Sequence, residues 1–290
     1  MERRTRRGGF PIGFRRPFSW VSDLPGVLAW AKQEDFGFID VGRDGPEAGP
    51  QVLAAGLRLG SVDLVEWEGL LSPDAGRQAA AVERCGAYVE ACGKLGPLNH
   101  FAVMLPEDPG LPRRENFGHM VAGLSALVPA LERNHATLVI EGWPGPGALC
   151  CTPEGFRALF ERVDSPSLAI NYDPSHLVRM GIDPLRFLAE FADRVRHVHA
   201  KDTELFADRL YDFGHEQPPT LVDEMAFGGG SWRYTIPGHG VVSWTEVFRL
   251  LEEAGYTGCV SIELEDRDFN GSRETEELGL TLSRDFLEGC

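Results

Sequence analysis

Short apolar runs alternate with longer amphipathic stretches along almost the whole chain. Eight runs read as strands: 10–14 (FPIGF), 36–41 (FGFIDV), 61–67 (SVDLVEW), 98–105 (LNHFAVML), 137–143, 167–173, 195–200 and 258–264. Between them, helical spacing predicts helices over 24–33, 51–59, 72–95, 113–134, 153–163, 184–191, 244–254 and 273–287. Several starts carry cap signals: Ser22 or Asp23 before Pro25, Thr152 before Pro153 and Glu154, Asp183 before Pro184, and Ser243 before Trp244. Pro129 inside 113–134 predicts a kink or a break there. The stretch 203–242 has little periodicity and reads as a long loop, the kind that often covers or lines a binding site.

Strands that alternate with helices predict a parallel sheet. About eight such units in 290 residues predict an α/β protein with a single-domain (β/α)8 TIM barrel over 10–290, behind a flexible basic tail at 1–9. The alternative is an open doubly wound sheet. Its nucleotide-binding versions lose support, because no G-x-G-x-x-G follows the first strand and no Walker A loop is present.

Charge narrows the partners. A net charge of -16 argues against nucleic acid, whose phosphates need clustered Lys and Arg. No apolar run approaches the ~18–20 residues of a membrane span. No apolar signal segment follows the basic N-terminus, and the six cysteines show no CxxC pair, so a cytoplasmic protein with reduced thiols is expected.

The candidate chemistry lies at strand ends. In a barrel, alternate strand residues point inward and functional groups gather at the C-terminal ends. Thr137, Val139 and Glu141 share one face; so do Ala169, Asn171 and Asp173; so do Val195, His197 and His199; so do Cys259, Ser261 and Glu263. The last inward residue of each set is an oxygen or nitrogen ligand. Glu141, Asp173, His199 and Glu263 are therefore expected to converge on one divalent metal. Three carboxylates and an imidazole favour Mn²⁺ or Mg²⁺, with Co²⁺ or Zn²⁺ as further candidates.

His197 lies deeper and is assigned to the core or to a supporting role. His100 is divided between lining the pocket and the core. Lys201 and Asp202 are candidates for substrate oxygens. The glycine-rich stretch 227–239 returns Trp232, Arg233 and His239 toward the same mouth, where they can stack on and hydrogen-bond a sugar ring. Trp20 and Trp143 are candidates for an apolar wall. The size of the 203–242 loop favours a cyclic sugar, an oxo-sugar or a glycoside over a triose.

The segments NYDPSH (171–176), HVHAKD (197–202), IPGHGVVSW (236–244) and GYTGCVSIELED (255–266) resemble the xylose-isomerase-like TIM-barrel superfamily. That superfamily includes sugar-phosphate isomerase/epimerase relatives, inosose dehydratases, ketose 3-epimerases, hydroxypyruvate isomerases and an endonuclease IV branch. The resemblance implies the same metal ligands, Glu141, Asp173, His199 and Glu263. It implies a substrate-contacting His176, and it makes Glu141 and Glu263 an acid/base pair. Arg233 is a loose match to a loop arginine, and homo-oligomers are a further implication.

A metal that holds a carbonyl and the adjacent hydroxyl acidifies the C–H between them and stabilises the enediolate. Return of the proton to the same or the neighbouring carbon gives epimerisation or isomerisation. Loss of a β-oxygen gives a lyase reaction on an inosose or 3-oxo-glycoside. The leading expectation is a metal-dependent sugar isomerase or epimerase. The alternatives are that lyase or dehydratase, and a non-catalytic carbohydrate-binding barrel.

Overall fold

A computed structural model describes residues 2–17, 19–20 and 22–290. In chain order the elements are β1 (Ile12–Arg15), α1 (Leu24–Gln33), β2 (Phe38–Val41), α2 (Gly45–Ala54), β3 (Arg58–Asp63), α3 (Ala75–Gly93), β4 (Asn99–Val103), α4 (Arg113–Arg133), β5 (Thr137–Glu141) and α5 (Pro153–Arg162). They continue with β6 (Leu168–Tyr172), α6 (Pro174–Arg179), α7 (Pro184–Phe191), β7 (Val195–Ala200), β8 (Asp202–Leu205), α8 (Ala207–Phe213), β9 (Trp232–Thr235), α9 (Trp244–Glu253), β10 (Val260–Ile262) and α10 (Arg273–Glu288). Eight parallel strands close into a barrel in the order β1-β10-β7-β6-β5-β4-β3-β2, while β8 and β9 form a separate antiparallel hairpin.

Two compact units divide the chain. One comprises the chain up to Asp40, Asp173–Asp193 and Val198–Cys290; the other comprises Val41–Tyr172 and Arg194–His197. In the first, β1 pairs with β10 and with β2, and β10 pairs with β7. An aromatic knot closes its core: Phe14 meets Trp30 and Phe36 edge-on, with ring centroids 5.6 and 4.8 Å away. The helix α9 buries Trp244, Val247, Phe248 and Leu251, one stripe at i, i+3, i+4 and i+7. Each of these apolar side chains contributes about 1.5–3 kcal/mol by leaving water. In the second unit, β3–β6 form a continuous ladder, with Leu138, Val139 and Ile140 of β5 at its centre and fully buried.

Several local signals hold to the residue. Asp23 caps α1, Thr152 caps α5 and Asp183 caps α7, each accepting a backbone N–H of the first turn. Elsewhere the structure departs from expectation. The helix expected at 51–59 is α2 at Gly45–Ala54; Pro46 starts it, and Pro50 forgoes only the bond to residue 46. Pro129 does not break α4, which runs unbroken to Arg133.

The stretch expected as a loop at 203–242 holds the β8–β9 hairpin and α8. Thr203 pairs with Tyr234, and Glu204 with Arg233. The basic stretch expected to be a flexible tail folds back on itself, apart from Met1, which is outside the described residues. Thr5 N–H donates to Phe10 O, Ile12 N–H donates to Arg3 O, and Arg3 pairs with Glu288 at 2.7 Å. None of the six cysteines is in a disulfide.

Candidate active site

Within the first unit, chain segments from β1, β2, α6, β7, β9 and β10 bring a buried set of charged groups together. Asp173 follows β6 and caps α6. Its Oδ1 accepts the Ser175 N–H at 2.8 Å and the Ser175 hydroxyl at 2.6 Å. Its Oδ2 is buried and accepts no hydrogen bond; His176 Nε2 and Lys201 Nζ each lie 3.3 Å from it. One carboxylate oxygen is thus fixed by the cap and the other is left facing cationic or metal partners.

His176 projects from the first turns of α6. Its Nδ1 lies 2.7 Å from the Tyr234 hydroxyl, which also accepts Arg179 Nη1 at 2.7 Å. Burial pushes the Tyr234 phenol up, against the opposing pull of Lys201 and Arg179, so it stays a neutral hydroxyl. Arg179 in turn covers the Trp232 ring at 4.4 Å. Lys201 is almost fully buried, and it donates to Glu263 Oε2 at 2.6 Å and Glu265 Oε2 at 2.9 Å.

Glu263 follows β10 directly. Burial by itself would raise its carboxyl, but Lys201, His199 and Arg15 outweigh that and hold it well below the usual carboxylate range. His199 Nδ1 lies 3.4 Å from Glu263 Oε2, and Arg15 Nε lies 3.6 Å from Glu263 Oε1. On the far side of the ring, His199 Nε2 lies 3.7 Å from Asp40 Oδ2.

In the second unit, Glu141 ends β5, is buried, and accepts Asn171 Nδ2 at 2.7 Å. Register places Glu141 opposite Asn171 and Val103. His100 pairs with Leu138, so it lies on the opposite face of β4 from the Glu141 side. It packs edge-on against Tyr88 of α3 and is fully buried. Of the two places expected for it, pocket wall or core, it takes the one under the helices, and burial lowers its imidazole to about 4.

Other expected contacts also change role. Asp202 is fully buried and faces the chain that leads into α9. Its Oδ1 accepts N–H groups of Thr203 and Val242, and its Oδ2 accepts Gly238 N–H and the Trp244 indole. It is a clamp rather than a substrate contact; burial raises its carboxyl despite these donors. Arg233 donates to Glu204 and Asp268, both at 2.7 Å, and ties the hairpin to the segment after β10. Burial draws its guanidinium down, but those two carboxylates more than restore it.

Trp20 packs on Trp30 with Arg273 over its ring. His239 is exposed and lies near Phe269, and Trp143 is half-buried. His197 is fully buried, in keeping with its core assignment. The strand-end rule, applied to strands five to eight, missed Arg15, which ends β1, and Asp40, the penultimate residue of β2. It also missed Glu265, two residues beyond Glu263 on the same alternation, and Arg179, which sits one turn after His176.

The donor set suits a divalent ion. Asp173, His176 and Glu263 offer ligand atoms within 4.8 Å of one another, and buried carboxylates grouped this closely need cationic compensation. Residues 48–289 match the family described as the xylose isomerase-like TIM barrel. The chain belongs to that family.

Among curated relatives, an inosose dehydratase of Geobacillus thermodenitrificans (strain NG80-2) is 30% identical over 152 residues, 52% of this chain and 48% of that protein. The chain therefore aligns with about half the length of the curated relatives it matches. Among solved structures, D-psicose 3-epimerase with D-tagatose from Clostridium cellulolyticum H10 superposes with a TM-score of 0.69 at 14% identity, covering 96% of this chain and 99% of that one. A 3-keto-D-glucoside 4-epimerase from E. coli gives 0.66 at 15% identity over 94% and 98% of the two chains. At these identities the superpositions establish the fold. By their names these three proteins are an inosose dehydratase and two sugar epimerases.

Proposed function

We propose that this chain is a divalent-metal-dependent sugar isomerase or epimerase. The observation that carries the reading is the buried cluster at strand ends: Asp173 with one oxygen free of hydrogen bonds, beside His176, Lys201, His199 and Glu263. Asp173, His199 and Glu263 are assigned as ligands. The family resemblance adds Glu141, which ends β5, as the fourth. Mn²⁺ is the first candidate ion, since the set is mostly hard oxygen donors.

The ion supplies polarisation of a carbonyl and so acidifies the neighbouring C–H. Glu263 is suited to remove that proton, because its carboxyl is held ionised beside Lys201. The family resemblance gives the return of the proton to Glu141. His176, braced by the Tyr234 hydroxyl, is positioned to orient a substrate oxygen, and Trp232 with Arg179 forms a flat surface for a ring.

A second reading is favoured by the curated relatives: the same proton removal followed by expulsion of a β-hydroxyl, as in an inosose dehydratase. Incubation of Mn²⁺-loaded protein with oxo-sugars, ketoses and an inosose in deuterated water separates the two. Deuterium in a recovered isomer supports the first reading, and loss of water supports the second. Sugar binding with neither outcome would leave a binding barrel and refute both.

A further inference from the structure

We propose that Asp40, held by Ser261, is a positioning residue that fixes the orientation and tautomer of His199; the proposal rests on the reading of His199 as a metal ligand. The three side chains are completely buried. They are brought together by register, since Ser261 pairs with His199 across β10 and β7, and Asp40 lies at the end of the neighbouring β2–β1 ladder. The Ser261 hydroxyl donates to Asp40 Oδ2, the same oxygen that lies 3.7 Å from His199 Nε2. The opposite ring nitrogen, Nδ1, lies 3.4 Å from Glu263 Oε2. The imidazole is thus strung between two carboxylates, one on each nitrogen.

A neutral imidazole has one N–H and one lone pair. A carboxylate only accepts, so each of the two competes for the single proton. Asp40 and Glu263 face different nitrogens of the ring, at 3.7 and 3.4 Å. Asp40 Oδ2 faces Nε2 from 3.7 Å, beyond hydrogen-bond distance in this structure, and the proposed contribution is that it takes the Nε2 N–H once an ion holds the ring, which leaves the Nδ1 lone pair directed at the Glu263 side. Ser261 limits rotation of the Asp40 carboxylate and so keeps its accepting oxygen on the ring. Carboxylates placed this way behind a ligating histidine fix its tautomer and raise its basicity, and their loss commonly costs about 10–100-fold in metal affinity.

The test uses the full chain, stripped of metal and titrated with Co²⁺, whose visible absorption reports the ligand field independently of turnover. The expected result is that Asp40→Asn weakens Co²⁺ binding about 10–100-fold and shifts the absorption band, while far-UV circular dichroism is unchanged. Ser261→Ala is expected to weaken binding less, in the same direction, and His199→Ala to weaken it most.

Wild-type affinity and spectrum in Asp40→Asn, with His199→Ala impaired, would overturn the Asp40 role and leave the metal site standing. Wild-type affinity in His199→Ala, or no Co²⁺ binding by the wild type, would overturn the ligand reading and the Asp40 role with it. A readout that needs no variant is long-range ¹H–¹⁵N correlation of His199 in the Zn²⁺-loaded wild type. A proton on Nε2 and metal on Nδ1 supports the proposal, and the reverse arrangement overturns it.

Discussion

Acid should destabilise this protein through His100, away from the candidate site. The side chain is fully buried on β4, packed against Tyr88, with neither ring nitrogen hydrogen-bonded. Burial lowers its pKa from 6.5 to about 4. In the unfolded chain the imidazole returns to its ordinary value, so the unfolded state binds more protons throughout this window. The resulting stability is complete above about pH 6.5 and is lost as the pH falls toward 4. The full effect is on the order of 3 kcal/mol. At pH 5 the unfolded imidazole is almost wholly protonated and the folded one about a tenth so, which is a loss of about 2 kcal/mol.

Leucine keeps an apolar side chain of similar volume at this position, and such swaps usually cost under about 1.5 kcal/mol at neutral pH. Urea unfolding of wild type and His100→Leu at pH 8 and pH 5 checks the reasoning. The wild type should lose about 2 kcal/mol more than the variant between the two. Equal losses in both proteins would refute it, because the buried imidazole would then contribute no proton linkage.

Other expected outcomes follow from single contacts. Glu263→Gln should lower turnover on the reactive sugar by about 10²–10⁴-fold with the urea midpoint nearly unchanged, as expected for loss of a proton-transfer group; retained turnover in steady-state kinetics would remove its assigned role. Asp202→Ala should destabilise the fold by about 1–3 kcal/mol in chemical denaturation, because the buried donors of Val242, Thr203 and Trp244 lose their acceptor. Tyr234→Phe deletes the hydroxyl shared by His176 and Arg179 and should reduce kcat/KM about tenfold, the equivalent of one buried hydrogen bond.

The barrel was legible because its strands are buried apolar runs separated by helices with strong start signals. Pro25, Pro153 and Pro184 at first-turn positions placed three helices to the residue or within one. The β8–β9 hairpin was not legible. Each strand has four residues, and a long intervening stretch separates them, so neither periodicity nor a turn signature marks the pair. Alternation toward a strand end singled out Glu263 and His199, which lie 3.4 Å apart, while the side chain beside Asp173 is His176, at 3.3 Å.

The same alternation could not assign His100, because the inward face of β4 is set by register with β5, which the sequence does not display. Asp202 and Arg233 were misassigned for a common reason. Both look like mouth residues in one dimension, but their partners lie 36 and 35 residues away, at Gly238 and Asp268.

The central proposal is that the carboxylate and histidine cluster around Asp173 and Glu263 binds one divalent ion. Elemental analysis after chelation and Mn²⁺ reconstitution tests it most directly, with wild type and Asp173→Ala measured side by side and washed to constant metal content. The account predicts about one tightly held ion per chain in the wild type, as a single site requires, and loss of that ion in the variant. No retained ion in the wild type, or the same content in both proteins, would contradict it.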